Sequence, residues 1–304
     1  MVPSPRKPVV ALALGSGSAR GWAHIGVLRQ LERAGIRPDI VCGTSIGALV
    51  AAACAAGELD RFEEWILELK MRDVVSLMDV GLNGGMLKGE RLMTFFREHF
   101  LDCPVEALQM PFAAVATDLH TGQEVWLRQG STIDAVRASI ALPGLFSPVW
   151  QDGRLLVDGG LVNPVPVSLA RAMGADIVVA VDLNADILGR HLGSPTRQNV
   201  RSSVGSAWRA HMPLALSALL PDAERGVETM PSLIDVLAAS INIMQVRVTR
   251  SRMAGDPADV VIAPRLATLG LLDFHRAADA MEEGRAAAES ALPVLRRLGL
   301  GRGT

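Results

Sequence analysis

The stretch Val41-Cys42-Gly43-Thr44-Ser45-Ile46-Gly47-Ala48 constrains this chain more than any other. A short apolar run of strand character enters a G-x-S-x-G pattern, and an alanine-rich segment of helical character leaves it near Ile46. Such a turn forces the serine into a sharp strand-to-helix elbow. Gly43 and Gly47 stand where a Cβ would crowd the neighbouring backbone. The geometry lifts the Ser45 hydroxyl out of the sheet and sets it at a helix N-terminus, where unpaired N–H groups favour developing negative charge. Taken alone, the pattern also describes a glycine-rich turn with a helix-capping serine. Its partners in the sequence must decide.

The first partner lies upstream. Pro8-Val9-Val10-Ala11-Leu12-Ala13-Leu14 is a continuous apolar run, as expected for a buried parallel strand. Gly15-Ser16-Gly17-Ser18-Ala19-Arg20-Gly21 follows, then an amphipathic helix over about 22–34. A loop of small residues lets several backbone N–H groups point into one cavity, which suits an oxyanion hole or a phosphate cradle. A dinucleotide-binding loop would require an acidic residue about 20 positions on, at the end of the next strand. Here that strand ends in the Ser45 elbow instead. The loop also lacks the Gly-Lys-Ser/Thr ending of a P-loop.

The second partner is far downstream. Gly153-Arg154-Leu155-Leu156-Val157-Asp158-Gly159-Gly160 reads as a short strand ending in an aspartate with two glycines behind it. Asn163-Pro164-Val165-Pro166 then opens another helix, with prolines near its first turn. Alone, Asp158-Gly159-Gly160 is an ordinary Asp-Gly turn. But glycine loop, serine elbow and aspartate each follow a predicted strand. Sites in open α/β sheets form at the carboxyl ends of strands, so all three are expected on one rim.

In the order and spacing of these three motifs the chain resembles the patatin-like phospholipases, and within them the small bacterial branch called RssA-like. Arg137-Ala138-Ser139, Leu142-Pro143-Gly144-Leu145-Phe146, Ala175-Asp176 and Val181-Asp182 look similar as well. The resemblance runs from about residue 8 to about residue 300. It implies a Ser–Asp dyad hydrolase of lipid acyl esters, of lysophospholipase or phospholipase A type, working without a cofactor. Ser45 would be the nucleophile and Asp158 the general base. The backbone N–H groups of Ser16, Gly17 and Ser18 would hold the oxyanion. The commonest family form has glycine where Ser16 and Ser18 stand. Backbone donors tolerate a small side chain while φ is negative, whereas a positive φ would strain a serine. Arg20 matches the basic residue of the family loop, as an anchor for a substrate phosphate or a strut for the loop, with an ordinary surface ion pair as the equal alternative. A free aspartate, with a pKa of about 3.9, is a poor base, so burial is expected to raise Asp158.

Two alternatives stand beside this reading. An α/β-hydrolase triad would keep the order Ser45, then Asp158 or Asp182, then His275. Against it, the elbow follows only the second strand, and His275 sits in a helix start capped by Asp273. A regulatory or scaffold protein with a little-used dyad is the other alternative. His24 lies one turn into the helix behind the glycine loop, where packing is the expected role and lining the cleft the alternative. His99, His120, His191 and His211 fall in no catalytic spacing, and without HExxH or CxxC a metal site has no support. A net charge of −2 gives no reason to expect nucleic acid. Cys42, Cys54 and Cys103 form no disulfide framework and suit a reducing cytoplasm. No secretory signal is visible near Met1, and the most apolar segment, 46–56, falls short of the ~20 residues that span a bilayer. The expected partners are a lipid or acyl-ester substrate, a peripheral contact at the inner membrane surface and a second copy of the chain in a homo-oligomer.

Predicted strands at 9–14, 39–42, 112–117, 124–128, 155–157, 177–181 and 260–263 alternate with helical patterns. This implies a three-layer α/β/α fold with a mainly parallel central sheet and one antiparallel excursion at 123–129. With 304 residues and 49% apolar content the chain can bury one large core, and residues 8–304 read as a single hydrolase domain. Residues 184–230 read as a mobile insertion, either a lid-like or membrane-contacting element or a packed helix. Residues 231–300 read as a C-terminal helical closure. Its first helix carries Leu233, Leu237, Ile241, Met244 and Val248 on one face, expected in the core or a dimer seam.

Overall fold

The computed structural model of the chain describes residues 6–70, 72–73, 89–99, 103–186 and 233–301. Strand β1 (Val10–Leu14) is apolar and buried at every position, as an interior strand of a parallel sheet must be. On its two edges lie β2 (Ile40–Thr44) and β7 (Ile177–Val181), both parallel, with Leu12 opposite Val41 on one side and Val179 on the other. Beyond β2 comes β3 (Phe112–Asp118), and beyond β7 comes β8 (Val260–Ile262), again parallel.

Alternate side chains serve opposite layers. Leu12, Leu14, Val41 and Ala114 share a core with residues of α1 (Ala23–Arg33), α2 (Ile46–Ala55), α5 (Thr132–Ser139) and α8 (Ala277–Arg297). Ala11, Ala13, Cys42 and Val115 pack on the other face against Leu169 and Ala170 of α6 (Val167–Ala172). The sheet is therefore covered by helices on both faces, as the periodicity implies. Helices α3 (Leu59–Glu68) and α4 (Glu90–His99) meet through aromatic rings, Trp65 lying 4.9 Å from Phe95 between centroids.

The antiparallel part is larger than the sequence suggests, and it places the site. Strand β4 (Glu124–Leu127) runs antiparallel to β3, as expected. A hairpin of β5 (Val149–Gln151) and β6 (Arg154–Asp158) is antiparallel too. Its turn is Asp152-Gly153 with φ of 50° and 74°, a two-residue loop whose twist matches the strands it joins. Asp158 therefore does not end a parallel strand, which corrects the reasoning that set it on the rim. Residues Ala116 and Thr117 pair with both β4 and β6, while Ala114 and Val115 pair with both β2 and β4. Hence β2 and β6 share one edge of β3, running toward each other. Strand β2 ends at Thr44 opposite Val115, and β6 ends at Asp158 opposite Ala116. The two strands meet tip to tip, which brings the elbow and the aspartate together.

Helix α7 (Leu233–Gly255) forms where expected but buries a different face. Leu237 and Met244 are 45% and 50% exposed, and among the described side chains Gln245, Val246 and Thr249 are buried. The side chain of Leu233 and the stretch 187–230, which covers nearly all of the expected insertion, lie outside the described residues.

Candidate active site

Ser45 sits at φ 57°, ψ −127°, a conformation that costs a non-glycine residue on the order of 1–3 kcal/mol and persists only where the surroundings enforce it. Close backbone packing enforces it here. A Cβ at Gly43 would stand 2.3 Å from the Gly47 carbonyl oxygen, and one at Gly47 would stand 2.2 Å from the carbonyl oxygen of Leu14. The Ser45 N–H donates to Ser139 Oγ at 2.9 Å, and Ser139 Oγ donates onward to the Val115 carbonyl at 2.6 Å. This strut ties the elbow to β3.

Ser45 Oγ donates to Asp158 Oδ2 at 2.5 Å. The other carboxylate oxygen accepts the Gly160 N–H at 2.7 Å, and Thr117 Oγ1 holds the Asp158 carbonyl at 2.8 Å. Gly159 lets the turn press against the Val115 carbonyl, where a Cβ would lie 2.2 Å away. The Asp158 side chain is fully buried. Burial pushes its pKa up to about 6, against the opposing pull of the hydrogen bonds from Ser45 and Gly160.

The glycine loop runs along the same rim, and its donors differ from the expected three. Gly15 N–H donates to Val181 O at 3.0 Å and Ser16 N–H to Pro164 O at 2.8 Å. Ser16 is thus engaged in fixing the loop and is not a free donor. Gly17 and Ser18 N–H have no hydrogen-bond partner among the described residues. Gly17 has φ 172°, outside the left-handed region, while Ser18 has φ 53°, so one of the two serines that replace glycine sits in that region. Its Oγ donates to Leu271 O at 2.6 Å. Arg20 is buried and has the contacts of a strut: Nε donates to Gly17 O at 3.2 Å and Nη2 to Asn242 Oδ1 at 3.1 Å. Burial lowers its pKa to about 10, partly offset by Asp182. At Gly21 the loop passes α2 so closely that a Cβ would meet the Ile46 side chain at 2.2 Å.

His24 is fully buried, with Nε2 2.7 Å from Gly15 O and its pKa lowered to about 4 by burial, so the neutral ring donates to that carbonyl. The His275 residue is exposed, and the hydrogen-bond partner of Ser45 Oγ is Asp158. Sequence reasoning gave no role to Ser139, Asn184, Asn242 and Gln245, whose side chains hold the elbow and the loop. For the last two the signal was the polar i, i+3 pair on α7, masked by the more obvious apolar stripe.

An apolar cleft starts at Ser45 and the glycine loop. Trp22, Leu49, Trp65, Phe96, Leu142 and Phe146 are among the residues that form its walls. Among the described residues no group of three or more His, Cys, Asp and Glu could hold a metal ion, and no helix is long and apolar enough to cross a membrane.

A helix-covered α/β sheet that presents an elbow serine to a buried carboxylate, beside an apolar cleft, belongs to the hydrolytic enzymes. Comparison with known proteins narrows this. The family model for patatin-like phospholipases matches residues 12–171. An uncharacterized NTE family protein of Mycobacterium tuberculosis is 36% identical over an alignment of 336 residues, covering 94% of this chain and 91% of that protein. Human patatin-like phospholipase domain-containing protein 6 is 36% identical over 188 residues, 58% of this chain and 13% of that protein. The crystal structure of VipD from Legionella pneumophila has the same fold, with a TM-score of 0.54 at 15% identity over 95% of this chain and 67% of that one. The chain belongs to the patatin-like phospholipase family and is a lipid carboxylic ester hydrolase.

Proposed function

We propose that this enzyme cleaves lysophospholipids or phospholipids by a Ser–Asp dyad, within one hydrolase domain that spans residues 8–304. The observation that carries the reading is the 2.5 Å hydrogen bond from Ser45 Oγ to a buried Asp158 whose pKa is raised to about 6. Asp158, ionised above that pH, accepts the Ser45 proton as Oγ attacks the ester carbonyl carbon. The carbonyl π electrons move to oxygen, and the oxyanion is held by the Gly17 and Ser18 N–H groups and the N-terminus of α2. Collapse breaks the bond to the alcohol oxygen, which leaves with the proton returned by Asp158. The acyl group remains on Ser45. Asp158 then takes a proton from water, hydroxide character develops at the attacking oxygen, and the fatty acid departs as Ser45 is reprotonated.

The apolar cleft suits the acyl chain, while the exposed Leu237 and Met244 on α7, which also lends Ile241 and Asn242 to the cleft lining, suit a peripheral contact with a lipid surface. A fluorophosphonate probe should label the wild-type enzyme at Ser45 and leave Ser45→Ala unlabelled. Lysophospholipids and diacyl phospholipids in vesicles should be hydrolysed by the unlabelled wild-type enzyme, and neither by Ser45→Ala nor by wild-type enzyme after labelling. Hydrolysis retained in folded Ser45→Ala would end the nucleophile assignment.

A further inference from the structure

The buried face of α7 is polar where it meets the site, and that is unusual for a helix that closes a domain. Gln245, 5% exposed, accepts Ser16 Oγ at 3.0 Å and Asn184 Nδ2 at 3.3 Å on one oxygen, Oε1. Asn184 Nδ2 also reaches the Ser16 carbonyl at 3.2 Å. One helical turn earlier, Asn242 accepts Arg20 Nη2, whose Nε holds the Gly17 carbonyl. The spacing i, i+3 sets both amides on one face of the helix. They grip the loop on both sides of Gly17 and Ser18, the residues with unpartnered N–H groups. The Gln245 amide also lies against the aspartate turn: a Cβ at Gly160 would stand 2.4 Å from Nε2 and 2.9 Å from Asp158 Oδ1. One side chain thus touches both the oxyanion loop and the turn that carries the base.

We propose that Gln245 and Asn242 are positioning residues, a clamp that holds the Gly17 and Ser18 donors in register with Ser45. The proposal rests on the roles given above to Ser45 and to those donors. It also accounts for Ser16, whose hydroxyl supplies the handle that glycine lacks. An apolar face on α7 would bury more surface at lower desolvation cost, because a buried amide must find its partners before it contributes anything. Its polar groups are used to fix a loop that a neighbouring strand pairs only at Gly15.

Gln245→Met keeps the side-chain length and removes the amide. In the folded variant, kcat for a short-chain p-nitrophenyl ester should fall about tenfold or more with KM moving less than roughly threefold, since small misplacement acts on the transition state. Affinity for an alkyl trifluoromethyl ketone, which forms a tetrahedral adduct with the serine, should fall by the same factor as kcat. Ser16→Ala should show the same split, and the double variant should be no worse than the poorer single one, because the Ser16–Gln245 hydrogen bond is already lost in either single variant. Asn242→Leu tests the other side of the loop if Gln245→Met fails to fold, and the same split between kcat and KM is expected of it. Wild-type kcat in folded Gln245→Met, or in Asn242→Leu and Ser16→Ala where Gln245→Met does not fold, overturns the clamp. A double-variant loss equal to the product of the single losses, with ketone affinity unchanged, overturns it as well. Retained hydrolysis in Ser45→Ala would instead remove the nucleophile assignment beneath it, so the two failures are told apart.

Discussion

Replacing Asp158 by asparagine separates the work this carboxylate does from the strain it places on the fold. The substitution preserves shape: the new amide oxygen can accept the Gly160 N–H, and the amide nitrogen can donate to Ser45 Oγ. The catalytic loss should be on the order of 10²–10⁴ in rate, the usual contribution of a positioned base. The stability change has the opposite sign. Burial raises the folded pKa to about 6 from an ordinary 3.8. Below the lower value both folded and unfolded chains carry the proton, and charge makes no difference. Between the two values the native state keeps a proton that the unfolded state has lost, so wild-type stability falls as pH rises. Above about 6 the loss is complete. The interval from 3.8 to about 6, at 1.36 kcal/mol for each tenfold change in proton affinity, gives about 3 kcal/mol. The substituted amide, being neutral, escapes this loss. Urea unfolding should therefore show Asp158→Asn more stable by about 3 kcal/mol at pH 8 and by about half as much at pH 5. The wild-type kcat/KM should rise with unit slope up to about pH 6 and then level off. A stability gain that is absent, or equal at both pH values, would refute the buried-base account even if the variant were inactive.

Three further outcomes follow from the geometry. Leu142→Trp, which adds bulk to a half-buried wall of the cleft, should lower kcat/KM for long-chain p-nitrophenyl esters at least about tenfold relative to short ones, in the range that differences in pocket fit produce; an unchanged chain-length profile would place the acyl chain elsewhere. Gly47→Ala, whose Cβ would stand 2.2 Å from Leu14 O, should destabilise by about 2–3 kcal/mol or more in urea unfolding, and a neutral result would contradict the packing of the elbow on β1. Ser18→Gly relieves a left-handed residue, about 1–2 kcal/mol, and loses a hydrogen bond to Leu271 O of about 0.5–1.5 kcal/mol. Stability should then stay within about 1 kcal/mol and kcat should hold, because the N–H remains; a large loss of kcat would assign the hydroxyl itself a part in the chemistry.

Much of this arrangement is written locally. The strand entering Gly43, the serine between two glycines and the alanine-rich helix behind it specify the elbow, because each depends on the dihedral and steric limits of a few adjacent residues. The apolar runs at 9–14 and 177–181 mark interior parallel strands for the same reason: both faces of such a strand are buried, and the pattern shows it. The β5–β6 hairpin was not anticipated: Asp-Gly suits its two-residue turn, but the three residues of β5 are too few to show a strand pattern.

What the tertiary structure alone decided is which of these local pieces touch. Ser45 and Asp158 are 113 residues apart, and they meet because β2 and β6 approach head-on along one edge of β3, not because both end parallel strands. Ser16 N–H is taken by Pro164 O, which leaves two loop donors where three were expected. Helix α7 turns Gln245 and Asn242 inward and leaves part of its apolar stripe outside, since the rim it covers offers polar groups that need partners. Periodicity and turn chemistry report the conformation and the faces of a segment. Register between distant strands, and the competition of several acceptors for one N–H, are settled only when the whole core packs.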